Sequence, residues 1–342
     1  MRRCRGKLFV VKKVPAKKDK NLKVVGTNHD QIMRIIINIF INVQRKVNSE
    51  INTDSMSANT ERIYKDVEFL TSITPARNYQ NLRSLQKTYT YVNDQLTRAG
   101  AKPAMQTWTA QGKGYTNVTA SYNAGKRQRL VVGAHYDVCG NQPGADDNAS
   151  AVAGLLEIAR LVFEQQPSID YRIDFVAFCL EEPPFFASEF MGSYIHAKSL
   201  NDESADVIGM ISLEMIGYFS DEPHSQPYPT PELTKLYPHT ANFIVVVGIE
   251  KYADFNNKVH RLMSVDSEVD VQVVSFPPDN GLAGLSDQRN YWKFGYNALM
   301  INDTAFIRNP HYHMQSDTID TLDFKKMTAV INSAYKAVTN IL

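Results

Sequence analysis

The sequence predicts a three-layer α/β sandwich, a mostly parallel mixed sheet with helices on both faces. Three observations carry that expectation. Segments of strand pattern alternate with segments of helical pattern, the order that builds such a sheet. Two strand segments, 130–134 and 173–180, are near-continuous apolar runs, as in strands buried on both faces. The stretch 130–162, LVVGAHYDVCGNQPGADDNASAVAGLLEIARLV, reads as an apolar strand, a turn-rich loop and a long apolar helix, and the rest of the chain is organised around it.

Taken in order, residues 1–55 differ from the remainder of the chain. Lys12, Lys13, Lys17, Lys18 and Lys20 make a basic arm. The apolar run 35–43, IIINIFINV, is too short to span a bilayer. No small-residue cleavage site comes after it, which favours the cytoplasm and leaves export to a divergent signal. The expectation is an extension over 1–55 and a single folded domain over 56–342. Within that domain, helical spacing marks 61–70 and 78–96, with Gly100 as a stop signal. Strand alternation marks 104–108 and 116–122. After the central unit come a strand at 173–180, a helix at 187–200 and strands at 207–216 and 243–247. A helix at 255–263, a strand at 271–274, a helix at 287–294, a strand at 298–301 and a final helix at 323–342 complete the chain. The loop 219–240, with five prolines, and the loop 276–285 are the places for lids or specificity walls.

The 342 residues are near the upper limit for one core, and 43% hydrophobic with 21% charged residues is ordinary for a globular protein. A net charge of +1 gives no field that would recruit nucleic acid or an anionic membrane. Three cysteines, Cys4, Cys139 and Cys179, cannot form a disulfide framework. Cys179 reads as core; Cys139, just past the central strand, could face the site but reads first as a bystander.

The chemistry gathers at strand ends. His135 and Asp137 are two residues apart, so in a strand both face one side. Asp146 closes the loop before the helix and returns a carboxylate to the strand's carboxyl end, where open α/β sheets place their sites. Glu181-Glu182 end a buried strand, and Glu214 stands among apolar residues in another; both are costly without a partner. The loop 309–318 holds two of the eight histidines, His311 and His313. Each feature alone has a bland explanation: an Asp before a helix is usually a cap, and a Glu pair is usually solvated. Together they supply histidines and carboxylates suited to paired divalent ions such as zinc.

The order His-x-Asp, Gly-Ala-Asp-Asp-Asn-Ala-Ser, Glu-Glu, Leu-Glu-Met-Ile-Gly, Ser-Asp and then His followed by Ser-Asp-Thr resembles zinc aminopeptidase family 28 over residues 60–342. That family includes bacterial leucyl aminopeptidases and glutamate carboxypeptidases, and the resemblance implies its zinc-exopeptidase fold. It also implies two zinc ions, with Asp146 bridging them, His135 and Glu214 completing one set of ligands and Glu182 and His313 the other. Glu181 is then the general base, Asp137 the carboxylate that orients His135, and the peptide bond after Asp146 is cis. The implied substrate is a peptide with a free N-terminus; no nucleic acid partner or stable membrane span is expected, and the oligomeric state stays open. The chain departs from the family pattern in places. Glu214 stands where many members have Asp, and Gln288 where His is frequent. Tyr291 and Arg289 are the candidates for steadying an oxyanion, and Phe185 and Phe186 for walling a pocket. Two alternatives remain beside the aminopeptidase: a single-zinc glutaminyl-peptide cyclotransferase, and a dipeptidase or carboxypeptidase of the same fold. A non-catalytic relative would have lost ligands that this chain keeps.

Overall fold

The computed structural model describes residues 57–342, so the extension expected over 1–55 lies outside the described residues. The strands are β1 (Ala104–Ala110), β2 (Lys113–Tyr122), β3 (Gln128–His135), β4 (Arg172–Phe178), β5 (Asp206–Glu214), β6 (Phe243–Ile249), β7 (Asp270–Phe276) and β8 (Ala298–Asn302). The helices are α1 (Thr60–Thr71), α2 (Leu82–Arg98), α3 (Ala151–Gln165), α4 (Gly192–Asp202), α5 (Pro231–Leu236), α6 (Ala253–Ser264), α7 (Gln288–Trp292) and α8 (Phe324–Thr339). Among the described residues the strands form one sheet in the order β1-β2-β4-β3-β5-β8-β6-β7. The centre, β4-β3-β5-β8, is parallel. β1 and β2 run antiparallel at one edge and β6 is antiparallel to β8, while β7 pairs with β6 in parallel. The expected mostly parallel mixed sheet is therefore what the chain builds.

The period of two in β3 sorts its side chains. Leu130, Val132 and Ala134 pack with α3 and its neighbouring helices, while Val131 packs on the other face with Val176, Phe178, Ala197, Leu200 and Tyr291. Such buried aliphatic and aromatic side chains are worth about 1.5–3 kcal/mol each. α3 is buried at every position from Ala151 to Val162, the pattern of a helix between layers rather than on a surface. The two charged residues within that buried span are matched. Arg160 donates to both oxygens of Asp66 on α1 and to Glu157, and Arg62 donates to Glu157. A buried charge without such a partner would be strongly destabilising.

The clearest differences from the sequence reading lie in two segments. α4 begins at Gly192, not 187, because the chain from Glu182 folds back onto the end of β4. The Gly192 N–H donates to the Cys179 carbonyl at 2.7 Å, and a Cβ at Gly192 would meet Asn117 Oδ1 at 2.1 Å. The proline-rich loop contains α5, with Pro231 at its first turn. Proline is favoured there because that N–H has no partner within the helix.

Candidate metal centre

The carboxyl ends of the parallel strands converge on one cluster. His135 is the last residue of β3 and Glu214 the last of β5, while Glu181 and Glu182 lie just beyond β4. The turn Ala145–Ser150 between β3 and α3 brings in Asp147, and the loop after β8 brings in His313. The Asp147 carboxylate lies between the two histidines. Its Oδ1 is 3.5 Å from His135 Nε2 and its Oδ2 is 3.1 Å from His313 Nε2. Glu214 Oε2 lies 3.2 Å from His135 Nε2, and Glu182 Oε2 lies 3.3 Å from His313 Nε2. Two three-donor half-sites therefore share one carboxylate, with Glu181 Oε2 3.9 Å from His135 Nε2 at the edge of both.

One expected ligand is misplaced by a residue. Asp146 faces away from both histidines: its Oδ1 accepts the Gly217 N–H at 3.0 Å and its Oδ2 accepts Asn309 Nδ2 at 2.7 Å. The backbone at Asp147 is extended (φ −104°, ψ 90°), so neighbouring side chains in the doublet point to opposite sides. The cis peptide bond accordingly comes after Asp147, joining it to Asn148, rather than after Asp146.

A second layer holds these groups in place. Asp137 accepts the backbone N–H groups of Glu181 (3.1 Å) and Glu182 (3.2 Å), and its Oδ1 lies 3.7 Å from His135 Nδ1. Asp137 thus fixes both groups, its carboxylate holding the Glu-Glu backbone and its backbone carbonyl, 3.2 Å from His135 Nδ1, orienting the imidazole. Asp317 accepts the N–H groups of Asp146 (2.8 Å) and Asp147 (3.1 Å). Ser286 Oγ and Asn148 Nδ2 donate to Glu214 Oε2 at 2.7 and 3.1 Å, which anchors the longer glutamate arm. Beneath the cluster the fully buried Arg77 guanidinium donates to the carbonyls of Leu70, Tyr136, Pro143 and Gly144. Gly144 has φ +64°, and a Cβ there would come within 2.4 Å of the Asp147 carbonyl. Of these, Asp137, Ser286 and Asp317 lie in motifs visible in the sequence. Nothing in the pattern marks Arg77, an ordinary arginine between two helices.

The donor set fits divalent cations. Burial raises the Glu182 carboxyl to about 8, with the Asp147 carboxylate adding to the effect. Burial also drives Glu181 well above the carboxylate range, reinforced by Glu182, Glu214 and Asp287 against the opposing His135. Burial alone would lower His313, but Asp147 and Glu182 raise it to about 10. Burial thus favours the protonated forms of Glu181 and Glu182, and the neighbouring carboxylates favour the charged forms of both histidines. The buried Asp147 Oδ1, Glu182 Oε1 and His313 Nε2 also lack hydrogen-bond partners, since the close His–carboxylate contacts do not have hydrogen-bond geometry. Buried polar atoms are seldom left this way, and metal ions in the two half-sites would satisfy them.

Other expected residues sort differently. Tyr291 is fully buried and its hydroxyl is 2.7 Å from His196 Nδ1, within the core rather than at the cluster. Arg289 lies 4.8 Å over the Phe186 ring and faces Glu181. Phe185 is core, packed edge-on to Tyr79 and Tyr115. Tyr312 stacks on the His313 ring at 3.8 Å, a placement the sequence reading did not make. Beside Glu214 and Tyr312 opens an apolar cavity of about 810 Å³, its mouth included, walled by Tyr228, Leu233, Phe276, Leu285, Met300 and Phe306. Both loops singled out in the sequence contribute to that wall.

A family model described as peptidase family M28 matches residues 117–338. The uncharacterized protein YfbL of Escherichia coli (strain K12) is 38% identical over 293 residues, covering 83% of this chain and 88% of that protein. A probable leucine aminopeptidase 1 of Trichophyton verrucosum (strain HKI 0517) is 26% identical over 212 residues, covering 58% of this chain and 50% of that protein. The chain therefore spans about half the length of this aminopeptidase relative. The solved structure of the Legionella pneumophila LapA aminopeptidase superposes with a TM-score of 0.67, covering 85% of this chain and 74% of that one. At 19% identity this likeness speaks for the fold.

Proposed function

The chain belongs to peptidase family M28, a family of zinc-dependent hydrolases, and we propose that it is an aminopeptidase that removes the N-terminal residue of peptides with two zinc ions. The observation that carries this reading is the Asp147 carboxylate, one oxygen toward each histidine, joining two half-sites of three donors. His135, Glu214 and Asp147 would hold one ion, and His313, Glu182 and Asp147 the other. When bound, zinc supplies an activated water and a Lewis acid for the scissile carbonyl.

The chain's own residues do the rest. Glu181, buried and not hydrogen-bonded to a neighbouring side chain, is free to take the proton of the attacking water and return it to the leaving amine. Its elevated proton affinity, set first by burial, suits a group that must hold and then release a proton. The surrounding carboxylates, including the buried Asp287 with neither oxygen hydrogen-bonded, favour a substrate that brings an ammonium group. The apolar cavity beside Glu214 and Tyr312 would receive a large aliphatic or aromatic side chain.

The test pairs metal content with hydrolysis of aminoacyl-anilides bearing free or blocked amines. Two zinc ions per chain with cleavage of only the free-amine leucyl and phenylalanyl substrates would support the reading. One ion, with cyclisation of N-terminal glutamine and no hydrolysis, would replace it with the cyclotransferase. Cleavage confined to dipeptides would move the activity to a dipeptidase.

A further inference from the structure

Cys139 lies four residues past His135, half-buried at the rim of the centre. Its thiol sulfur, a Glu182 carboxylate oxygen and a His313 ring nitrogen all lie within 4.8 Å of one another. The backbone on both sides is anchored: the Val138 N–H donates to the Arg77 carbonyl and the Gly140 carbonyl accepts from Asn78 Nδ2. Glu182 is only 4% exposed, yet its Oε1 has no hydrogen-bond partner. Sulfur, oxygen and nitrogen therefore converge on one point with a buried acceptor left open. Zinc bonds of about 2.0–2.3 Å set neighbouring donors about 3.3–3.8 Å apart in a tetrahedron. The 3.3 Å between His313 Nε2 and Glu182 Oε2 already has that value. The sulfur needs to close by about 1 Å at most, within reach of one side-chain torsion.

We propose that Cys139 is a direct thiolate ligand of the ion held by Asp147, Glu182 and His313. The proposal rests on the two-ion reading above. It makes the two halves chemically unlike, one with nitrogen and oxygen donors and one that adds sulfur. As the ion binds, the S–H bond breaks, a sulfur–metal bond forms and the proton leaves to solvent. Sulfur ligation favours zinc, cobalt and cadmium over manganese and magnesium, so the half with His313 would discriminate among ions more sharply than the half with His135.

The test uses the full chain, C139S and C139A, each stripped of metal and reloaded with cobalt(II) as a spectroscopic probe. The wild type should show a thiolate-to-cobalt charge-transfer band in the near ultraviolet that both variants lose. Zinc affinity of one of the two ions, measured against a chromophoric chelator, should fall on the order of 10–100-fold in the variants. Calorimetry in buffers of different ionisation enthalpy should count one proton fewer released per chain by C139S. Two bound cobalt ions without the band, with unchanged affinities in the variants, would overturn the proposal and leave the two-ion reading intact. One bound ion that carries the band would support the proposal and remove the two-ion reading, and a wild type that binds no cobalt would remove both.

Discussion

The two halves of the centre share Asp147 but are built from different material. On the inner side, His135 and Glu214 are the terminal residues of adjacent strands, with side chains 1% and 9% exposed. Parallel pairing of β3 and β5 fixes their separation before any ion arrives. On the outer side, His313 sits on a loop with φ +58° and a side chain 26% exposed. Its partner Glu182 lies beyond the end of β4 and is held through Asp137 rather than by a strand ladder. The same ligand chemistry is thus mounted once on the sheet and once on loops. Groups on strands are held with less freedom than groups on loops, so the inner half is pre-organised and the outer half is ordered in part by its ion.

The shared carboxylate offers the largest effect. Asp147→Asn should remove the link between the halves, lowering zinc content below two per chain and turnover by at least 10²–10⁴-fold, the order expected for loss of a catalytic group. Asp146→Asn is the control, because its carboxylate serves Gly217 and Asn309. It should keep both ions and lose mainly stability, read by thermal melting. Equal metal loss in the two variants would undo the assignment within the doublet. Glu181→Gln should keep two zinc ions and lose about 10²–10⁴-fold in kcat; residual activity within tenfold of wild type would reassign the base.

The asymmetry itself is tested by chelation. Dialysis against a weak chelator should remove one ion first, and a His313→Ala variant should hold one ion with the affinity of the tighter wild-type ion. Simultaneous loss of both would mean that the inner half has no advantage.

A smaller effect comes from pH. Burial raises Asp287 and Asp317 from 3.8 to about 7 and Glu182 from 4.5 to about 8. Between those unfolded and folded values the metal-free native chain binds more protons than the unfolded chain, so its stability falls as pH rises. The Tm of EDTA-treated protein should therefore drop from about pH 5 to about pH 8, and saturating zinc should cancel or reverse the trend. A metal-free Tm that rises over that range would contradict the buried-acid account. The smallest effect is at the pocket wall, where Leu285→Ala should weaken kcat/KM for leucyl relative to alanyl substrates by about tenfold, the value of a few lost methylene contacts.

Most of the architecture was legible because buried strands and helices leave periodic marks. The run 130–134 and the largely apolar α3 could hardly be anything but interior, and β3 and α3 are where that reading placed them. The site was legible to within one residue. His135 and Glu214 stand at strand ends that periodicity can locate, while Glu182 and His313 lie in loops and were placed by the family resemblance. Asp146 and Asp147 are chemically identical neighbours, and only the extended backbone of the turn decides which one faces the histidines. Arg77 was beyond reach for another reason. Its contacts join segments far apart in sequence, and no local pattern encodes such a meeting. The proline-rich loop misled in the opposite sense, since a proline at a first turn also starts a helix.

Arg77 carries one more consequence. A single buried cation, lowered to about 10 by burial, clasps carbonyls from the end of α1, the exit of β3 and the turn before Asp147. Those segments have no independent way to open, since releasing any one of them strands a guanidinium in the interior. The metal-binding turn and the first helix should therefore behave as one cooperative unit in hydrogen exchange, with amides around Tyr136 and Ala145 opening at the same free energy as those of α1. The turn that presents Asp147 would then come loose only together with the first helix.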